Sequence, residues 1–254
     1  MLAPNNIGAI GYALAALLMA ILGALLLTTW RGRLQGALLL SAVAASTIWA
    51  LLMAVQAQWQ SVPVEFVWAA EALRLLAWLL FLMRLLDLLH PGSDSRTKVL
   101  RWVVIFVCVV LMLPFEVQLR AWLPTAMSRQ VGSLRLIALV VLIVVGLFLV
   151  EQVYRNTPWQ HRWGIKFLCF GLGALFAYDF YFFADALLFG RVDSGLLLAR
   201  GAVNAVVVPF VGVSVARNPQ WSFDLSVSRS VVIHSTTLIA AGVYLLFMSL
   251  AGYY

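Results

Sequence analysis

Long unbroken apolar runs constrain this 254-residue chain more than any other feature. Hydrophobic residues make up 64% of the chain and charged residues 11%, whereas soluble domains average about 45–50% and about 25%. A transmembrane helix needs about 20 mostly apolar residues, and eight stretches approach or exceed that length. They predict an all-α, polytopic membrane helix bundle in which residues 1–254 form one integral-membrane domain. The predicted spans cover residues 7–30, 34–56, 63–89, 100–114, 131–154, 164–189, 196–215 and 231–253.

The distribution of charge predicts how these spans are oriented. Lys and Arg concentrate in alternate connecting segments, those that contain Arg31, Arg96, Arg155 and Arg217. The positive-inside rule makes these segments cytoplasmic and puts the N-terminus outside. The longest outer segment, residues 115–130, is predicted to form a short interfacial helix or lid. We interpret the net charge of +7 as the result of this cytoplasmic bias and as a means of attracting membrane lipid. Nucleic-acid binding is not expected, because no base-reading groups accompany the basic residues.

Six polar side chains lie inside predicted spans, where an ionised group costs about 2.5–3.5 kcal/mol to insert. They are Glu71, Arg74, Asp179, Asp185, Arg200 and Asn204. At about 1.5 Å of rise per residue, they fall near the midplane or in the outer half of the membrane. We therefore predict a polar cluster among the third, sixth and seventh spans. Asp179 is predicted to meet Arg74 or Asn204, and Asp185 is predicted to meet Arg200.

Three interpretations of this cluster remain open. It forms a static clamp between helices, a ligand- or proton-sensing pocket, or a path for a transported ion. Tyr178 and Tyr181 lie beside the acids in sequence and are candidates to line a pocket. Two further expectations concern packing: Arg84 pairs with Asp87 three residues away, and the small residues in "GLG", Gly171 to Gly173, allow close helix approach.

The sequence contains no pattern that indicates a cofactor or a catalytic site. Cys108 and Cys169 stand alone in apolar runs, so neither a disulfide framework nor a metal site is expected. Phosphate-binding loops, zinc-protease motifs and nucleophile elbows are missing from the 254 residues. We therefore assign no catalytic residue to this segment.

Several short patterns nevertheless resemble a known family. They are "RNTPWQHRW" (155–163), the pair Tyr178-Asp179, "ARGAVN" (199–204), "ARNPQW" (216–221) and the final "AGYY". In these patterns the chain resembles the multi-span N-terminal region of PrsK-type sensor histidine kinases of the bacterial exosortase/PEP-CTERM system.

The resemblance implies a sensor input module in the bacterial inner membrane, followed by a GAF-like domain and a histidine kinase domain that uses ATP and Mg²⁺. It also implies a homodimer, a response regulator as partner, and control of genes for exopolysaccharide and PEP-CTERM proteins. We accordingly expect the chain to be a fragment of a longer protein, and whether that protein is an enzyme depends on the resemblance alone. Two alternatives remain: a small transporter or channel that uses the buried acids, and a non-enzymatic membrane scaffold.

Overall fold

The computed structural model describes residues 4–29, 34–89, 95–113, 125–157 and 159–217. This part of the chain folds into seven α-helices and contains no β-strand. The helices are α1 (Pro4–Thr29), α2 (Leu34–Trp59), α3 (Val64–Leu89), α4 (Ser95–Met112), α5 (Thr125–Asn156), α6 (Trp159–Phe189) and α7 (Ser194–Arg217). The all-α prediction is therefore confirmed for the described residues.

Five of the described helices, α1, α2, α5, α6 and α7, are long and apolar enough to cross a membrane. The predicted count of eight spans is not confirmed. The predicted fourth span, residues 100–114, overlaps α4, an 18-residue helix that ends at Met112, and the predicted eighth, residues 231–253, lies outside the described residues. The predicted outer segment, residues 115–130, is described only from Thr125 onward. Those residues form the first turns of the long helix α5.

Two short turns end α2 and α6 at the same end of the bundle. Gln60 follows α2 with a φ of 50°, and Gly190 follows α6 with a φ of 63°. This left-handed backbone conformation cannot continue a right-handed helix. The next helix, α7, starts where the Asp193 carboxylate accepts a hydrogen bond of 2.9 Å from the Leu196 amide. The turns make α2 antiparallel to α3 and α6 antiparallel to α7.

Six of the described helices form a closed ring in the order α1, α2, α3, α5, α6, α7, and α7 packs back against α1. Helix α4 lies outside this ring and packs mainly against α3. Among the described helices, α3 does not pack backbone to backbone against α6 or α7, so side chains fill the interior between them. Toward the end where α3 finishes, this interior is apolar and includes the fully buried Trp78, Leu82 and Val153.

Helices α1 and α7 approach each other most closely at two glycines. A Cβ atom on Gly201 would lie 2.6 Å from the Tyr12 amide nitrogen and 2.8 Å from the Gly11 carbonyl carbon. A Cβ on Gly11 would lie 3.2 Å from the Ala202 amide nitrogen. Because the obstructing atoms belong to the backbone, no side-chain rotation makes room, and only glycine fits at Gly201.

The predicted approach at the "GLG" stretch is confirmed at one of its two glycines. A Cβ on Gly171 would lie 3.0 Å from the Phe210 Cβ, which brings α6 close to α7. A Cβ on Gly173 would meet only the Val150 side chain at 3.9 Å, which is ordinary contact. Gly173 is therefore not required by packing.

We predict that Gly201→Ala destabilises the bundle and Gly173→Ala does not. Overpacking a fixed contact costs about 1–3 kcal/mol, whereas Gly173 has space for a methyl group. The free thiols Cys108 and Cys169 are buried, so a thiol-reactive dye reports unfolding in detergent. Gly201→Ala should lower the thermal midpoint of dye labelling by several degrees relative to Gly173→Ala. Equal midpoints would contradict the proposed α1–α7 crossing.

Candidate functional site

Five of the six predicted polar residues meet in one cluster inside the helical ring. Glu71 and Arg74 are three residues apart on one face of α3, and Arg200 and Asn204 are four apart on one face of α7. Asp179 enters from α6. Each of the five is at most 4% exposed. We refer to Glu71, Arg74, Asp179, Arg200 and Asn204 as the charge network.

Arg200 occupies the centre of the charge network. Its Nη1 and Nη2 donate to the two carboxylate oxygens of Glu71, each at 2.7 Å. Its Nε donates to the Asp179 Oδ1 at 2.8 Å. This bidentate, charge-assisted geometry is the strongest arrangement that a guanidinium forms with a carboxylate. A single side chain of α7 is thus bonded to α3 and to α6.

Arg74 closes the network from the opposite side. Its Nη2 donates to the Glu71 Oε1 and to the Asp179 Oδ2, both at 2.6 Å. Its Nη1 donates to the Asn204 Oδ1 at 3.1 Å, and the Asn204 amide nitrogen donates to the Arg200 carbonyl at 2.9 Å. Asn204 therefore links the Arg74 side chain of α3 to the backbone of α7 at Arg200.

The charge network is electrically balanced. Two guanidinium groups face two carboxylates, and every carboxylate oxygen accepts at least one hydrogen bond from an arginine. Burial of a charge is tolerable when it is both paired and hydrogen-bonded, which is the case for all four. Within the described residues, the Arg74 Nε is the one polar atom of the network without a hydrogen-bond partner.

Aromatic rings enclose the network and separate it from the surrounding apolar interior. Trp49 of α2 donates its indole N–H to the Glu71 Oε2 at 2.8 Å, and its ring centroid lies 4.2 Å from the Arg74 Cζ. The rings of Phe182 and Phe183 each lie 5.0 Å from the Arg200 Cζ. Such contacts stabilise a guanidinium that has lost its water.

Trp49 and Tyr12 belong to the site, although neither is among the residues predicted from the sequence. The Tyr12 ring meets the Trp49 ring edge-on at 5.6 Å, and its hydroxyl donates to the Leu197 carbonyl at 2.6 Å. The sequence does carry a signal for Trp49. Membrane tryptophans concentrate at the two interfaces, so a tryptophan well inside a predicted span indicates a buried hydrogen-bond partner.

Asp185 does not join the network, and its predicted pairing with Arg200 is wrong. Arg200 is fully used by Glu71 and Asp179, and Asp185 is half-buried without an ion pair to any described residue. The reason is helical periodicity. Six residues separate Asp185 from Asp179, which places the two carboxylates about a third of a turn apart around α6.

Neither of the two predicted pocket residues forms a hydrogen bond with the charge network among the described residues. Tyr181 is 57% exposed, and the half-buried Tyr178 donates its hydroxyl to the Leu196 carbonyl at 2.7 Å, near the start of α7.

The predicted pairing of Arg84 with Asp87 is wrong for the described residues, because Asp87 pairs with Arg101 of α4 instead. In the described part of the chain, no three metal-ligating side chains come together.

Comparison with known proteins gives no assignment. No protein-family model, no curated protein sequence and no solved structure matches the chain.

We predict that Asp179→Asn destabilises the protein far more than Asp185→Asn. The first change leaves an unbalanced positive charge in the buried network, and removal of one partner of a buried ion pair costs about 3–5 kcal/mol. The second makes the same substitution on the same helix at a half-buried carboxylate without an ion pair among the described residues. Thiol labelling of Cys108 and Cys169 on heating measures both variants. If the two variants unfold at the same temperature, the network does not hold the helices together.

Proposed function

We propose that this chain is the membrane input module of a two-component sensor histidine kinase in the bacterial inner membrane. In this proposal the module has about eight spans with the N-terminus outside. It belongs to a longer, homodimeric protein whose GAF-like and ATP- and Mg²⁺-dependent kinase domains lie in the cytoplasm and phosphorylate a response regulator. The family resemblance and the charge network support the proposal.

The observation that carries the proposal is the charge network between α3, α6 and α7, in which two guanidinium groups balance two carboxylates. Buried ion networks rarely stabilise a protein more than apolar packing does, but in some proteins they select one arrangement among several. Arg200 alone donates three hydrogen bonds across these interfaces, so a shift of α7 breaks several bonds at once. The bundle then changes packing in discrete steps, as a two-state switch requires.

Helix α7 also provides a route from the network to the opposite end of the bundle. Arg200 and Asn204 are anchored in its first half, and Pro209 lies within the helix beyond them. Proline removes one hydrogen bond of the helical ladder, which leaves the Ala205 carbonyl without its usual donor and favours bending there. We take the Arg74–Asp179 contact, which joins α3 to α6, as the switch contact. Its loss would weaken the network that anchors α7, so that the half of α7 that ends at Arg217 moves.

The geometry gives less support to a transporter that uses the acids as ion ligands. Both oxygens of Glu71 and both oxygens of Asp179 already accept hydrogen bonds from arginine. A transported cation would have to displace a guanidinium from each oxygen that it binds. The scaffold alternative gives the network no role beyond packing.

The test uses the full-length gene product in lipid nanodiscs with γ-labelled ATP. Wild type should form an acid-labile phosphohistidine and pass the phosphate to its response regulator. Asp179→Asn should change the basal rate about tenfold or more, because 1.4 kcal/mol of bias between two packings changes their ratio tenfold. Asp185→Asn is the matched control and should keep the wild-type rate.

Two results would contradict the proposal. The first is the absence of histidine phosphorylation in the full-length protein, and solute flux in proteoliposomes would then favour the transporter. The second is phosphorylation that is identical in wild type and Asp179→Asn, which would leave the kinase assignment intact but reject the network as the input switch.

A further inference from the structure

A second polar site lies at the opposite end of the bundle from the charge network, where α5 ends, α6 begins and α7 ends. The Ser214 hydroxyl donates to the Gly164 carbonyl at 2.9 Å and ties α7 to α6 there. The Arg162 Nε donates to the Thr157 carbonyl at 3.0 Å and fixes the turn between α5 and α6. We call the four cations of this region, Arg155, Arg162, Lys166 and Arg217, the basic corner.

Among the described residues, one carboxylate forms an ion pair with a cation of the basic corner. This carboxylate is Glu151, which pairs with Arg155 at 3.0 Å on the exposed surface. No ion pair joins Lys166 or Arg217 to a carboxylate among the described residues. These two cations instead face the same two rings. Arg217 lies 3.9 Å and Lys166 4.9 Å from the Trp163 centroid, and both lie within 5.0 Å of the Phe167 centroid.

An aromatic strip extends from these cations toward the middle of the bundle. Trp163, Phe167 and Phe170 are spaced four and three residues apart, so they share one face of α6. Trp163 is 59% exposed and Phe170 is 64% exposed. Phe170 packs against Phe210 of α7 with their centroids 5.2 Å apart. The surface therefore changes from cationic to aromatic along this face of α6, where Phe210 of α7 lies beside Phe170.

We propose that the basic corner binds the headgroup of an anionic phospholipid, with the phosphate at Lys166 and Arg217 and the acyl chains along Phe170 and Phe210. Two like charges that share the same rings repel each other, and an anion between them removes that repulsion. Cations at a membrane surface attract anionic headgroups, and tryptophan favours the same depth. A soluble anion would satisfy the charges but would leave the adjacent aromatic strip unused. This inference goes beyond the proposed kinase role and does not depend on it.

The test compares lipids that differ only in headgroup. Purified protein is titrated with phosphatidylglycerol or phosphatidylcholine of identical acyl chains, and bound lipid is counted by native mass spectrometry. Wild type should prefer phosphatidylglycerol. The variant Lys166→Gln/Arg217→Gln should lose that preference, with affinity for phosphatidylglycerol falling about fivefold for each cation removed. Lys98→Gln, an exposed lysine of α4, is the matched control and should keep the wild-type preference.

Three further measurements make the result decisive. The charge-conserving variant Lys166→Arg/Arg217→Lys should retain the preference, and raising the salt concentration should weaken it in wild type. Free glycerol phosphate should not displace the lipid at comparable concentration. Any one of four results would overturn the proposal. Wild type binds the two lipids equally, its preference survives high salt, the preference survives the double Gln substitution, or glycerol phosphate displaces the lipid.

Discussion

The paired contact of Arg200 with Glu71 and Asp179 is the constraint on which the arrangement of helices depends. In an apolar interior an unpaired guanidinium or carboxylate is prohibitively costly, so each charge requires its partners at close range. The partners of Arg200 lie on two other helices, at 2.7 Å and 2.8 Å. Only an arrangement that brings α3, α6 and α7 to this separation satisfies all four charges. Apolar contacts alone are less selective, since one leucine surface packs against another in many registers.

Helix α7 is held from two directions by different kinds of contact. From inside the ring, the charge network binds Arg200 and Asn204. From the side, α1 presses against the helix at Gly201, where the backbones nearly touch. Tyr12 connects the two contacts, because it lies at the glycine crossing and its ring also packs edge-on against Trp49. The position of α7 therefore depends jointly on van der Waals contact with α1 and on electrostatics toward α3 and α6.

Much of this architecture follows from the sequence, and the exceptions have physical causes. Apolar runs predicted the helices, and the cost of buried charge predicted that Glu71, Arg74, Asp179, Arg200 and Asn204 would meet. The pairing predicted for Asp185 was wrong because depth in the membrane fixes only the position along α6, whereas the angle around the helix axis separates Asp185 from Asp179 by about a third of a turn. The Gly11–Gly201 crossing was not predicted, since seventeen glycines are present and nothing local shows which of them faces another helix. Trp49 was not predicted because its side chain is uncharged, so the cost of buried charge gives no reason to place it at the site.

The most direct test of the central claim measures whether the charge network fixes the distance between α3 and α7. Spin labels are placed at Leu73→Cys and Val206→Cys, which are exposed at 41% and 42%, while the native thiols are buried and stay unlabelled. With the wild-type network, pulsed electron–electron double resonance should give one narrow distribution of the distance between the two spin labels. The comparison is a variant in which all four charges become apolar: Glu71→Leu, Arg74→Met, Asp179→Leu and Arg200→Met. This variant should unfold at or above the wild-type temperature, yet show a broadened or split distribution. An equally narrow distribution at the same distance would contradict the account.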